Sequence, residues 1–142
     1  MADPEFDSAK EFRTVIDEIF TMMSEDPEMG PALRDADVPQ RFEFDDVDEV
    51  VNIRAARDGE DGHLHWEWTD DVDWQPKVKM AMSSETANKY FQGKENVAMA
   101  IARRRIKTGG DVKAALSLIP ITKPVYPLFR EMLQERYPHL VV

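Results

Sequence analysis

The sequence predicts an α+β domain, and three observations carry that prediction. An apolar stripe with helical spacing opens the chain, a middle stretch alternates with period two, and the remainder returns to helical spacing. The chain has 142 residues and a mass of 16.4 kDa, the size of one domain. The opening Met-Ala-Asp-Pro-Glu-Phe reads as translated cloning sites, so residues 1–6 are set aside and 7–142 are taken as a single domain.

Ser8 and Glu11 fit a capping box, in which two side chains satisfy free backbone N–H groups at a helix start. Phe12, Val15, Ile16, Ile19, Phe20 and Met23 then form one apolar face to about Glu25, and Asp26-Pro27 stops the helix. Met29 to Pro39, with two prolines and a glycine, reads as a loop. Four half-buried strands follow. They centre on Phe42 and Phe44; on Val51, Ile53 and Ala55; on Leu64, Trp66 and Trp68; and on Val78, Met80 and Met82. The first three have short connections that suit an antiparallel meander.

Ser83 or Ser84 caps the next helix, whose inner side carries Ala87, Tyr90 and Phe91 and which ends at Gly93. Asn96 opens a short helix with Val97, Ala100 and Ile101. A fifth strand is predicted from Arg103 to Thr108 around Ile106, closed by Gly109-Gly110. Asp111 caps a helix bearing Val112, Ala115, Leu116 and Ile119. Beyond Pro120, Pro124 and Pro127, a last helix carries Leu128, Phe129, Met132 and Leu133.

Composition removes whole classes of function. Cysteine is absent, which excludes disulfides, zinc–thiolate sites, iron–sulfur clusters and thiol nucleophiles. The net charge of −10 argues against a dedicated nucleic-acid binder, which needs a basic surface to neutralise phosphates. Charge is also unevenly placed. Residues 1–73 hold 6 basic and 23 acidic residues, and residues 74–142 hold 12 basic and 5 acidic. No apolar run approaches the length of a membrane span, and no Gly-x-Ser-x-Gly elbow, Walker loop or dinucleotide fingerprint occurs. The expectation is a protein that is not an enzyme and needs no cofactor.

The stretch from Lys77 to Leu118 carries a family likeness. It runs through a strand, Ser-Ser-Glu-Thr-Ala-Asn-Lys-Tyr-Phe-Gln-Gly-Lys-Glu-Asn, an Ala-rich short helix, Arg-Ile-Lys-Thr-Gly-Gly-Asp and Val-Lys-Ala-Ala-Leu-Ser-Leu. This resembles the sterol-carrier-protein type-2 (SCP-2) family of non-specific lipid-transfer domains, with Gly93, Gly110 and Asp111 on its marks. The likeness extends more weakly back to about Phe42. It implies a curved, five-stranded, mostly antiparallel sheet covered by helices, with an apolar tunnel between them. It further implies non-catalytic carrying of a fatty acid, fatty acyl-CoA, sterol or other isoprenoid. Peroxisomal members end in a Ser-Lys-Leu type tripeptide, whereas this chain ends Leu140-Val141-Val142, which points to a cytoplasmic home.

Under that resemblance the cavity-lining candidates are Met80, Met82, Phe91, Val97, Met99, Ala100, Ile106, Leu116, Ile119, Phe129, Met132 and Leu133. Flexible, polarizable methionine suits a site that accepts several shapes, though any one of them equally fills gaps in a core. Arg103, Arg104, Arg105 and Lys107 form the dense basic cluster. They suit an anionic membrane surface, the phosphates of an acyl-CoA or an acidic protein partner; the alternative is a charged edge strand that resists aggregation. Trp66 and Trp68 read first as half-buried strand residues. His63, His65 and Glu67 could hold zinc or iron on one strand face, but no second ligand cluster stands near. They are expected to be a solvated face, and no metal is predicted. Two further readings stay open: an accessory subunit that docks onto a lipid- or CoA-using enzyme through 35–73 and 103–107, and a small metalloenzyme built on the His-x-His-x-Glu strand.

Overall fold

The structure is a computed structural model that describes residues 6–142. Met1–Glu5, most of the supposed cloning remnant, lie outside the described residues. Phe6 sets its ring edge-on to Phe12, 4.8 Å between centroids.

Helix α1 (Ala9–Glu25) starts where the sequence says it should: the Ser8 hydroxyl accepts the Glu11 N–H. The Glu11 carboxylate reaches back to the Asp7 N–H, one residue earlier than the usual box. Phe12, Val15, Ile16, Ile19, Phe20 and Met23 are all buried.

The stretch read as a loop contains a helix, α2 (Met29–Ala36). The Asp26 carboxylate accepts the N–H groups of Glu28 and Met29, so the residue that stops α1 also caps α2. Pro31 lies in the first turn, where its missing N–H breaks no helical bond.

Strands β1 (Gln40–Phe44), β2 (Glu49–Ala55), β3 (Leu64–Glu67), β4 (Val78–Met82) and β5 (Lys107–Gly110) form one sheet in the order β3-β2-β1-β4-β5. The first three make the predicted antiparallel meander, β4 joins β1 in parallel, and β5 closes the edge antiparallel to β4. Register aligns Phe42 with Val51 and Met80, and Phe44 with Met82, so these side chains share the face that meets the helices.

Helices α3 (Ser84–Phe91), α4 (Val97–Ala102) and α5 (Val112–Ser117) carry the predicted caps, Ser83, Asn96 and Asp111. At the end of α3, Gly93 has φ +74 and its Cα lies against the Tyr126 ring; a Cβ there would stand 2.5 Å from it. Residues 103–106 are not strand. Arg103 ends α4, Arg104 takes φ 60, and the Arg105 N–H bonds the Ala100 carbonyl 2.8 Å away. This is a Schellman turn with arginine where glycine is usual, and it delays β5 to Lys107. After α5 come a single turn, α6 (Ile119–Thr122), and α7 (Val125–Arg136), which starts three residues earlier than predicted because Pro127 fits its first turn. A 3₁₀ turn at Pro138–Leu140 buries Leu140, whose carbonyl accepts from the Asn88 and Gln92 amides.

Candidate functional site

A small, partly enclosed cavity lies between the inward face of the sheet and the helices. Its sheet wall is Gln40, Phe42, Ile53 and Leu64; Phe20 and Met23 enter from α1, Leu33 from α2, and Tyr90 and Phe91 from α3. Leu118 and Thr122 come from the α5–α6 junction, and Val125 and Tyr126 from the first turn of α7. The free volume is about 40 Å³, room for about three or four waters on the scale of one water per ~10–15 Å³. The walls are therefore nearly closed on one another, and an apolar chain would enter only by parting them.

Polar groups on the wall are mainly neutral: Gln40, Tyr90, Thr122 and Tyr126. Burial pushes the Tyr90 hydroxyl's pKa up, and neighbouring Tyr126 adds to the shift, so Tyr90 stays protonated and can donate a hydrogen bond. Arg54 also borders the cavity, but it alternates with Ile53 along β2 and its guanidinium is engaged elsewhere. It grips both carboxylate oxygens of Glu60 at 2.7 and 2.9 Å and packs 4.7 Å from the Trp74 ring. The same Glu60 carboxylate accepts the Arg57 N–H. Arg54 chiefly, with that backbone bond, lowers its pKa to about 2.

The wall differs from the one the sequence suggested. Of the twelve candidates, Phe91 borders the cavity. Met80, Met82, Ala100, Ile106, Phe129 and Leu133 are buried core outside it, while Val97 and Ile119 are half-buried. Met132 faces an open hollow beside α1. Met99 and Leu116 are 43% and 37% exposed. The chain breaks at Leu118, so α5 turns Ala115 and Leu118 inward rather than Leu116 and Ile119. A loop reading of 29–39 hides Leu33 and Val38, and periodicity marks Phe20, Met23 and Tyr90 as inward without separating cavity wall from filled core.

Arg103, Arg104, Arg105 and Lys107 are exposed and away from the cavity, and Arg105 pairs with Glu95 at 2.7 Å. The histidine triplet does not share one solvated face. His63 precedes β3 and is half-buried, with Nδ1 2.8 Å from the Ser24 carbonyl and its ring against Gly30. His65 lies between Glu67 and Glu60. Trp66 and Trp68 turn toward α1, where both indole N–H groups donate to one oxygen of Asp17, at 3.0 and 2.7 Å. His139, which looked isolated, meets Glu11 at 2.9 Å and Asp7 at 3.8 Å. Glu11 Oε1 takes both His139 and the Asp7 N–H, and one ligand atom from each of the three side chains lies within 4.8 Å of the others.

No family model matches the chain, and no curated protein matches it in sequence. Solved structures do match. UbiJ-SCP2, a ubiquinone synthesis protein, superposes with a TM-score of 0.59 at 8% identity over 79% of this chain and 92% of its own. Sterol carrier protein domain 2 of Helicoverpa armigera gives 0.54 at 14% identity, over 89% of this chain and 96% of its own. The fold is SCP-2-like. The double mutant of the sec-alkyl sulfatase PisA1 also gives 0.59, at 16% identity and over 74% of this chain, but the chain spans only 16% of that enzyme's length. The SCP-2-like fold thus stands both as nearly the whole of a solved chain and as a small portion of a larger enzyme.

Proposed function

We propose that the chain binds and carries an apolar ligand (a fatty acid, fatty acyl-CoA, sterol or other isoprenoid) in the cavity between sheet and helices, without chemistry, in the cytoplasm. The observation that supports this most is a partly enclosed, largely apolar space lined from the sheet and five helices, in a fold shared with sterol carrier proteins. Burial of ligand surface drives binding, at about 25 cal/mol per Å² removed from water. Polar groups that are mostly neutral set a mild preference for an uncharged head, because the one cation on the wall, Arg54, is committed to Glu60. Arg103, Arg104, Arg105 and Lys107 would then meet anionic headgroups or an acidic partner at the surface.

The test is titration of the delipidated protein with a dansyl-labelled fatty acid, in wild type and Val38→Phe. Val38 is a half-buried wall residue, so a larger ring fills the space while the fold persists. Affinity should fall at least tenfold with the unfolding transition retained; equal affinity in both proteins would refute the cavity.

A second reading has one observation behind it. Because the fold occurs as a small part of a sulfatase chain, the domain could serve as an accessory to a larger lipid- or CoA-using enzyme. Lipid-free protein that co-purifies with such an enzyme would favour it.

A further inference from the structure

The α2–α6 pair that walls the cavity has a second side. There, Met29 and Ala32 of α2 and Ile121 of α6 floor an open hollow of about 390 Å³. A second hollow of about 610 Å³ lies between α1 and α7, floored by Met22, Leu128 and Met132. Both are lined by Asp26, so the two hollows adjoin at that residue as two parts of an interrupted groove. Leu128 stands 47% exposed at its edge.

The rim is anionic. Glu25, Asp26, Glu28, Glu131 and Glu135 line the two hollows. Arg136 is the one cation on their walls, and Glu18 holds it at 3.0 Å. Among the described residues, none of those five carboxylates is in an ion pair with a basic side chain. The apolar surface open to a partner is Leu128, with half-buried Met22, Ala32 and Ile121, while Met29 and Met132 lie beneath at 4% and 6% exposure. An apolar floor inside an acidic rim complements a helix with an apolar stripe flanked by lysines and arginines.

We propose that this groove docks a cationic amphipathic helix of a partner protein. Leucine-sized side chains of the partner would sit over Leu128, Met22 and Ile121, and its cations would face Glu131 and Glu135 on one side and Glu25 and Glu28 on the other. The proposal rests on the outer surface of α1, α2, α6 and α7 and is independent of what fills the cavity.

The experiment uses a labelled synthetic helix with leucine on one face and lysine on the other, titrated by fluorescence anisotropy near physiological salt. A same-composition scramble without an apolar stripe and a glutamate-for-lysine version serve as controls. Wild type should bind the amphipathic cationic helix at least tenfold more tightly than either control. Leu128→Asp, and separately Glu131→Lys with Glu135→Lys, should each lose tenfold or more, while Asp70→Lys with Asp71→Lys should change affinity less than twofold. Both test variants alter exposed positions, and their melting curves report whether the fold persists. Equal loss in the Asp70/Asp71 variant would show diffuse charge attraction and overturn the proposal. So would affinity unaffected by Leu128→Asp, or self-association of wild type that Leu128→Asp abolishes, which would assign the face to a second copy.

Discussion

Asp17 and Glu60 each hold one face of the sheet in place with a single carboxylate. Asp17, half-buried on α1, takes two indole N–H groups from β3 and its immediate continuation, and so ties the edge of the sheet to the helix. Glu60 closes the opposite face over Arg54. The pKa of Glu60 is about 2 in the folded chain against 4.5 as its ordinary value. A depressed carboxylate stabilises the fold fully above its unfolded pKa and loses that contribution as pH falls through the folded value. The melting temperature should therefore drop between about pH 4.5 and 2, and part of that drop should be missing in Glu60→Gln. A carboxyl titration of Glu60 by NMR with a midpoint near 4.5 would contradict the pairing. Neither role was legible: Asp17 sits among polar positions of an amphipathic helix, and nothing local marks it as the partner of tryptophans some fifty residues away.

Helices are where pattern and structure part company most instructively. Proline in a first turn costs no hydrogen bond, so Pro31 and Pro127 lie inside α2 and α7 rather than outside them. The early start of α7 divides its residues between two jobs. Val125 and Tyr126 border the cavity, whereas Phe129 is 1% exposed in the core beyond it. Phe129→Ala should accordingly cost ~3–5 kcal/mol of stability, the usual range for a buried phenylalanine. The stabilisation that a fatty acid gives should be nearly the same in that variant as in wild type. Chemical unfolding with and without ligand checks both, and a large loss of ligand-induced stabilisation would move Phe129 onto the ligand's wall. Arg104 offers a second check on a helix end. Its left-handed conformation at φ 60 is strained for a side chain with a Cβ, so Arg104→Gly should be neutral or stabilising by up to about 1 kcal/mol in the same assay.

At the scale of the whole molecule, a free cavity of about 40 Å³ and a lipid-sized ligand require a change of shape. The sheet is tied together by ladders across five strands, while α2 and α6 are eight and four residues long. Binding of the proposed lipid is expected to move the short helices rather than the sheet, so loading should alter amide exchange in α2 and α6 far more than in β1, β2 or β4.

The sequence by itself determined the order of nearly all elements, four caps and the inward faces of the first four strands, because these depend on neighbours within a few positions; the SCP-2-like fold was legible only through the family likeness of residues 77–118. Ser8, Ser83, Asn96 and Asp111 cap what they were expected to cap, and Phe42, Val51 and Met80 face inward as alternation requires. Tertiary structure alone decided which inward residues touch one another and which border open space. Phe20, Leu33, Leu118 and Tyr126 meet around the cavity although at least 85 positions separate the first two from the last two. Periodicity says that a side chain is buried, but not whether the space before it is filled. That is settled by how α2, α6 and α7 pack over the sheet, with the helical run interrupted at Leu118 and Pro124.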